Sequence, residues 1–197
     1  MEPTGEGWAV TLGDGATRQY DAVIVANGHH NDPVWPSFPG AFDGDHVVFT
    51  DGSSEPVDAI VYCTGYRTTF PFLHPAIFAA AENRVRLYQQ IFHPKWPGLC
   101  FVGLFQAVAW GFLPLYEAQG RLVAAYLAGR YALPEPAAME QAIAQAMESN
   151  ARRFLNSPRS NYMLNGPLYL ADCRVELARG RRRSADSTYR QTPHDTR

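Results

Sequence analysis

Most apolar positions in the first half of this chain fall in short unbroken runs rather than in alternation. Val23, Ile24 and Val25 form one such run and Ile60, Val61 and Tyr62 another. An unbroken run suits a strand covered on both faces within a parallel or mixed sheet, so each predicts a buried strand of an α/β layer. The two runs sit in one repeated phrase, GDGATRQYDAVIVANGH and TDGSSEPVDAIVYCTGY, whose Asp-Gly turns, Asp21/Asp58 and Gly28/Gly65 match at an offset of 37. Each copy therefore reads as a hairpin turn, a strand, and a glycine where the strand stops. A glycine there admits positive φ and lets backbone N–H groups approach a ligand, which in open α/β sheets binds beyond the carboxyl ends of the strands.

Leu99 to Val102 predicts a third buried strand, ending at Gly103, and Arg84 to Ile91 a short fourth. The period then changes to that of helices. Pro114 to Ala128 has proline at the first helical position, Gly129 just past the end, Glu117 and Arg121 four apart, and Leu115, Leu122, Tyr126 and Leu127 as its apolar stripe. A second helix from about Pro136 to Leu155 carries Met139, Ile143, Met147 and Phe154 at core spacing. Beyond it, Arg179, Arg181, Arg182 and Arg183 lie in a segment without apolar periodicity, which predicts a disordered, solvated tail.

Composition narrows the classes. The 197 residues are 46% hydrophobic and 18% charged with net charge −2, which gives no bulk attraction to nucleic acid. The uncharged stretch Leu99 to Tyr116 is broken by Gly103, Gln106, Gly111 and Pro114, so strand, loop and helix start describe it better than an integral membrane segment. The three cysteines show no CxxC spacing and point to a reducing, cytoplasmic setting; Cys63 and Cys100 fall in predicted strands as small buried hydrophobes. His29 and His30 follow the first terminal glycine, and His46, His74 and His93 lie in loops, none at HExxH spacing, so no metal site is expected. Ser53, Ser54, Ser149 and Ser157 lack a GxSxG elbow.

DAVIVANGHHNDPVWPSFPG and DAIVYCTGYRTTFPFL, followed in order by LYQQIFHPKWPGLCFVGLFQ and LPLYEAQGRLVAAYLAGRYALP, resemble the flavin-containing monooxygenases and their Baeyer–Villiger relatives over residues 8–135, with a fainter likeness from Arg153 to Ala178. The resemblance implies an α/β fold that is a remnant of a two-dinucleotide-binding-domain flavoprotein: an FAD-domain meander, glycine-ended strands and C-terminal helices. It implies FAD and NADP as cofactors and a small-molecule substrate, a nucleophilic nitrogen or sulfur or a ketone. It also places Ala26, Asn27 and Gly28, then Thr64, Gly65 and Tyr66, and then Gly103, Leu104 and Gln106 at the cofactor. Arg67 reads as a surface arginine, with a phosphate contact as the alternative.

The chain departs from that pattern in one respect. It has no GxGxxG turn; Gly13-Asp14-Gly15 belongs to a hairpin, and the family's FxGxxxH signature stands shortened as Phe42-Asp43-Gly44-Asp45-His46. A nucleotide-binding segment is thus expected to be missing between Asp45 and Val48 and another before Met1. The organisation expected is residues 1–45 as the late part of an FAD domain, 46–135 as the second glycine-ended strand with the flavin-side strand and helix, 136–180 as a helical extension and 181–197 as a disordered basic tail. Two functional readings stay open: a flavin-dependent monooxygenase incomplete as an isolated chain, and a non-catalytic remnant or partner-binding module. Either leaves uncovered sheet faces that favour self-association.

Overall fold

The computed structural model describes all residues except 29, 37–41, 97, 109, 156 and 187–197. In chain order the strands are β1 (Glu2–Thr4), β2 (Gly7–Thr11), β3 (Thr17–Tyr20), β4 (Val23–Val25), β5 (Asp32–Pro33), β6 (Phe42–Asp43), β7 (His46–Val48), β8 (Ser54–Pro56), β9 (Tyr66–Arg67), β10 (Leu99–Phe101) and β11 (Gln106–Val108). Helices α1 (Leu113–Leu127) and α2 (Pro136–Arg153) follow, then β12 (Met163–Asn165) and α3 (Gly166–Ala185).

Both Asp-Gly hairpins form as expected. Between β2 and β3, Ala16 N–H donates to Asp14 Oδ1 at 2.9 Å and Gly15 takes φ +82°. Between β7 and β8, Ser53 donates to Asp51 Oδ1 through its N–H at 2.9 Å and its hydroxyl at 2.7 Å. An aspartate that bonds its own backbone two residues on stabilises such turns locally, without help from the core.

The strand that organises the layers is β10, which pairs in parallel with β4 in the register Leu99↔Val23, Cys100↔Ile24, Phe101↔Val25. Alternate side chains of a strand face opposite ways. Leu99 and Phe101 accordingly join Trp8, Val25, Phe70 and Phe78 in one hydrophobic cluster, while Cys100 enters a second with Phe92, Leu115, Leu122, Tyr131, Met139 and Cys173. β10 is thus buried on both faces, as its unbroken apolar run predicts, and it joins the sheet side of the molecule to the helical side.

The expected strands elsewhere are only partly realised. β4 forms, but Ile24 is 49% exposed, so one of its faces is open. In the second copy of the repeat no strand forms over residues 57–65, and Ile60, Tyr62 and Cys63 are exposed, with Val61 82% exposed. A strand needs a ladder partner for its backbone groups, and no other described segment pairs with this one. Arg84 to Ile91 is not a strand either: Tyr88 and Phe92 form an isolated antiparallel bridge around a tight turn in which Gln89 and Gln90 take φ +54° and +56°.

α1 and α2 match their predicted spans to within two residues, and Arg121 donates to Glu117 at 2.7 Å. Leu115 and Leu122 are fully buried, but Leu127, placed on the apolar stripe, is half-exposed. The largest correction concerns Arg179, Arg181, Arg182 and Arg183, which lie in α3 and not in an irregular tail. The cause is a buried carboxylate. Glu176, 3% exposed, pairs with the Arg183 guanidinium and accepts from Tyr131 Oη at 2.9 Å. Arg183 Nε also donates to Ala132 O at 2.9 Å, with its guanidinium 5.7 Å from the Tyr131 ring centroid. A charge buried this deeply needs such partners, so α3 and the 131–132 segment order each other.

Gly180 lets the two approach: a Cβ there would run into the Tyr131 ring, and Ala132 N–H donates to Gly180 O at 3.0 Å. Gly180→Ala should therefore lower the urea midpoint by an amount equivalent to about 1–3 kcal/mol, despite alanine's better helix propensity. Gly120→Ala in α1, where a Cβ meets nothing within 4 Å, should raise stability by about 0.5–1 kcal/mol.

Candidate flavin-side site

Because β4 and β10 run in parallel and in register, they end side by side, and each is followed by a glycine in the left-handed region, Gly28 at φ +74° and Gly103 at φ +82°. Val102 N–H donates to Val25 O at 2.9 Å and continues the pairing into the turn. Asn27 and Gly28 on one side, Gly103 and Leu104 on the other, with Val25 and Phe70 at the base, border a shallow cleft of about 10 Å³. A Cβ on Gly28 would meet nothing within 4 Å, so the backbone there faces open space. Ala26 beside it is exposed, Leu104 is buried in the core, and Gln106 opens β11 opposite Met163, outside the lining of the cleft.

The Gly103 turn is held from behind by Gln119, a side chain with 0% exposure in the middle of α1. Its Oε1 accepts from Gly103 N–H at 2.8 Å, and its Nε2 donates to Tyr169 Oη at 2.8 Å and to Gln90 O at 3.3 Å. Tyr169 Oη in turn donates to Gln89 O at 2.7 Å. Gln119 occupies a core position, four residues after Leu115 and three before Leu122, which the apolar pattern alone does not mark. A lone amide inside an apolar helical stripe was the signal, since such a group must find buried partners.

The second glycine turn is tied to the chain just beyond the first. Val34 N–H donates to Gly65 O at 2.9 Å, the Thr64 hydroxyl donates to Val34 O, and Tyr66 pairs with Pro33 in the β5–β9 ladder. The His30 and Tyr66 rings lie 5.0 Å apart. Asn83, also not singled out from the sequence, fixes the far side by donating to Tyr66 O at 3.2 Å and accepting from Thr68 N–H at 2.7 Å. Gly65 has φ +83° and open space where a Cβ would stand. Arg67 makes two 3.0 Å bonds to Asp32, which is how this surface arginine is occupied, and the pair raises its pKa through the hydrogen bond and the charge. His29 and the Phe38-Pro39-Gly40 exit loop lie outside the described residues.

These features fit the edge of a flat ring better than a chain of phosphates. At the cleft the Gly28 backbone has an open face that allows close approach of a planar group, while a Cβ on Gly103 would stand 3.4 Å from the Tyr116 ring. A pyrophosphate instead calls for a helix N-terminus opening on a glycine-rich turn. α3 opens on Gly166, but the space its missing Cβ leaves is taken by Trp110, with atoms as near as 2.5 Å. α1 opens after Phe112 and α2 after Glu135. Among the described residues no group of three or more His, Cys, Asp or Glu could hold a metal ion, and no helix is long and apolar enough to cross a membrane.

The family model described as flavin-binding monooxygenase-like matches residues 41–177. The chain belongs to that family. It is 36% identical over 116 residues to flavin-containing monooxygenase 5 of Cavia porcellus, covering 57% of this chain and 21% of the relative. It is 37% identical over 143 residues to flavin-containing monooxygenase FMO GS-OX-like 1 of Arabidopsis thaliana, covering 66% and 30%. Among solved structures it resembles S-allyl-L-cysteine S-oxygenase from Allium sativum with a TM-score of 0.66 and 22% identity, covering 93% of this chain and 63% of that one, a likeness of fold. The chain spans about a fifth to a third of the length of these curated relatives. The family match embraces the second repeat, β10, Gln119 and most of α3, while β4 and Gly28 precede it.

Thiol environments in this family member are clearly separated. Burial pushes the Cys100 thiol up to about 12 and the Cys173 thiol up to about 11, whereas Cys63 is exposed. A thiol-specific disulfide reagent at pH 8 should label one cysteine in the native protein and three in urea. The raised values also set a sign. From about pH 9 upward the unfolded chain releases thiol protons that the folded chain keeps, so the urea midpoint should fall between pH 9 and 11.

Proposed function

We propose that this chain supplies the ring-facing wall of an FAD- and NADPH-dependent monooxygenase acting on a small nucleophilic nitrogen or sulfur compound or a ketone. The observation that carries the reading is the pair of parallel strands ending together in Gly28 and Gly103, both at positive φ beside a cleft. In such chemistry one atom of dioxygen goes to the substrate, the other leaves as water, and NADPH provides the two electrons. The flavin supplies that reactivity when bound. This chain's residues would orient the ring and keep water from its edge. Gly28 would allow close approach, Gln119 would hold the Gly103 turn rigid, and the Tyr66 to His30 contact would close one side. The family match and the relatives' names support the reaction class. The free thiols fit a reducing compartment such as the cytoplasm.

A second reading is favoured by the exposed Trp35, Ile60, Val61 and Tyr62, with Trp35 and Tyr62 in edge contact at 6.2 Å. A large apolar surface of this kind marks an interface, in this case with a second copy or with a chain that brings the phosphate-binding half. Incubating the purified chain with FAD, desalting and recording the visible spectrum separates the two. Retained flavin bands, lost in Gly28→Val while the circular dichroism is unchanged, are the expected result for the ring-wall reading. A colourless chain that elutes as a dimer or larger would reject autonomous cofactor binding and favour the interface reading.

A further inference from the structure

On the side of Gln119 away from the glycine cleft lies a larger groove of about 220 Å³ between α2 and α3, floored by the Gln89–Gln90 turn. The floor is held rigidly. Two consecutive non-glycine residues in the left-handed region are costly, and here both turn carbonyls are fixed, Gln89 O by Tyr169 Oη and Gln90 O by Gln119 Nε2. Gln90 lines the groove, and its side-chain Oε1 is shielded from solvent without a hydrogen-bond partner among the described residues.

The groove is also polarised along its length. Arg153 lies one turn beyond Asn150, whose Nδ2 donates to Met163 O at 3.0 Å, so this cation stands where α3 begins. Asp172 stands two turns along α3 from Asn165, about 10 Å away by helical rise. Both side chains are exposed, and neither forms an ion pair among the described residues. Ile143 and Leu164 are buried in the apolar wall between them.

We propose that this groove binds a small aliphatic zwitterion, with an ammonium group at the Asp172 and Gln90 end, a carboxylate at Arg153, and an apolar stem between. The ammonium pairs with the Asp172 carboxylate at the Gln90 end of the groove. The carboxylate takes the Arg153 guanidinium in its bidentate geometry. A stem of several methylenes covers the separation, whereas an α-amino acid, with its charges on one carbon, is too short to bridge it.

Titration calorimetry of the full chain with aminohexanoate and aminooctanoate, against octylamine and octanoate as single-charge controls, tests the assignment. The expected result is saturable binding that favours aminooctanoate over both controls. Asp172→Asn should weaken aminooctanoate about tenfold and leave octanoate unchanged, and Arg153→Gln should weaken aminooctanoate about tenfold and leave octylamine unchanged. Because both residues are exposed, the variants should fold, with circular dichroism as the check. No saturable binding to the folded chain, equal affinity for zwitterion and controls, or unchanged affinity in both variants would each overturn the proposal.

Discussion

One buried amide holds together what would otherwise be three separate pieces. Gln119 has no contact with solvent, yet it serves the Gly103 turn, the Gln90 carbonyl and the Tyr169 hydroxyl at once. A buried amide left without partners costs about 1–3 kcal/mol for each unsatisfied group, so the position of α1 relative to the strand end and to α3 is fixed by geometry rather than by apolar contact alone. The glycine turn needs this support because its own residues offer little: a left-handed glycine has no side chain to pack. Rigidity at the cleft is supplied from the helix behind it.

The same economy explains why the two halves of the repeat have different fates. A strand needs a neighbour on each side that carries hydrogen bonds and a layer on each face that carries apolar contacts. β4 has β10 on one side and the Trp8 and Phe70 cluster on one face, and it forms. The copy at Asp58 to Gly65 has no paired strand among the described residues, and what orders it is its downstream end, through Gly65 O, Thr64 and Tyr66. The glycine turn survives while the strand before it does not, since a turn is fixed by local φ and one or two hydrogen bonds but a strand is fixed by its neighbours.

That distinction also decides what could be read from sequence. Hairpin turns, helix ends and the Glu117–Arg121 pair were legible because their causes lie within a few residues. β10 was legible because an apolar run buried on both faces leaves a compositional mark. The missing strand at Ile60 to Tyr62 was not, since its sequence is that of a strand and only the lack of a partner prevents one. The helical course of Arg179 to Arg183 was hidden for a different reason: the basic residues mask a helix whose order comes from Glu176, Tyr131 and Gly180, partners up to about fifty positions apart. At the candidate site the glycines were visible and their supports, Gln119 and Asn83, were not. A polar residue in a core position betrays itself only when its helix face is drawn explicitly.

The contrast between the open strand ends and the packed helix start follows from how each is built. Two adjacent strand ends can leave an open backbone edge, and β4 and β10 end together wholly through contacts within this chain. A pyrophosphate cradle requires a strand, a glycine-rich turn and a helix N-terminus in sequence, and at the one place where a described strand runs directly into a helix, β12 into α3, the glycine is filled by Trp110. Trp110 therefore uses Gly166 for packing, in the same way that Tyr131 uses Gly180 at the other end of α3. Both glycines of α3 thus serve helix docking, while Gly28 and Gly65 face open space. Of these four glycines, two serve close packing within the helical layer and two leave open backbone outside it, and only the second pair is available to a ligand.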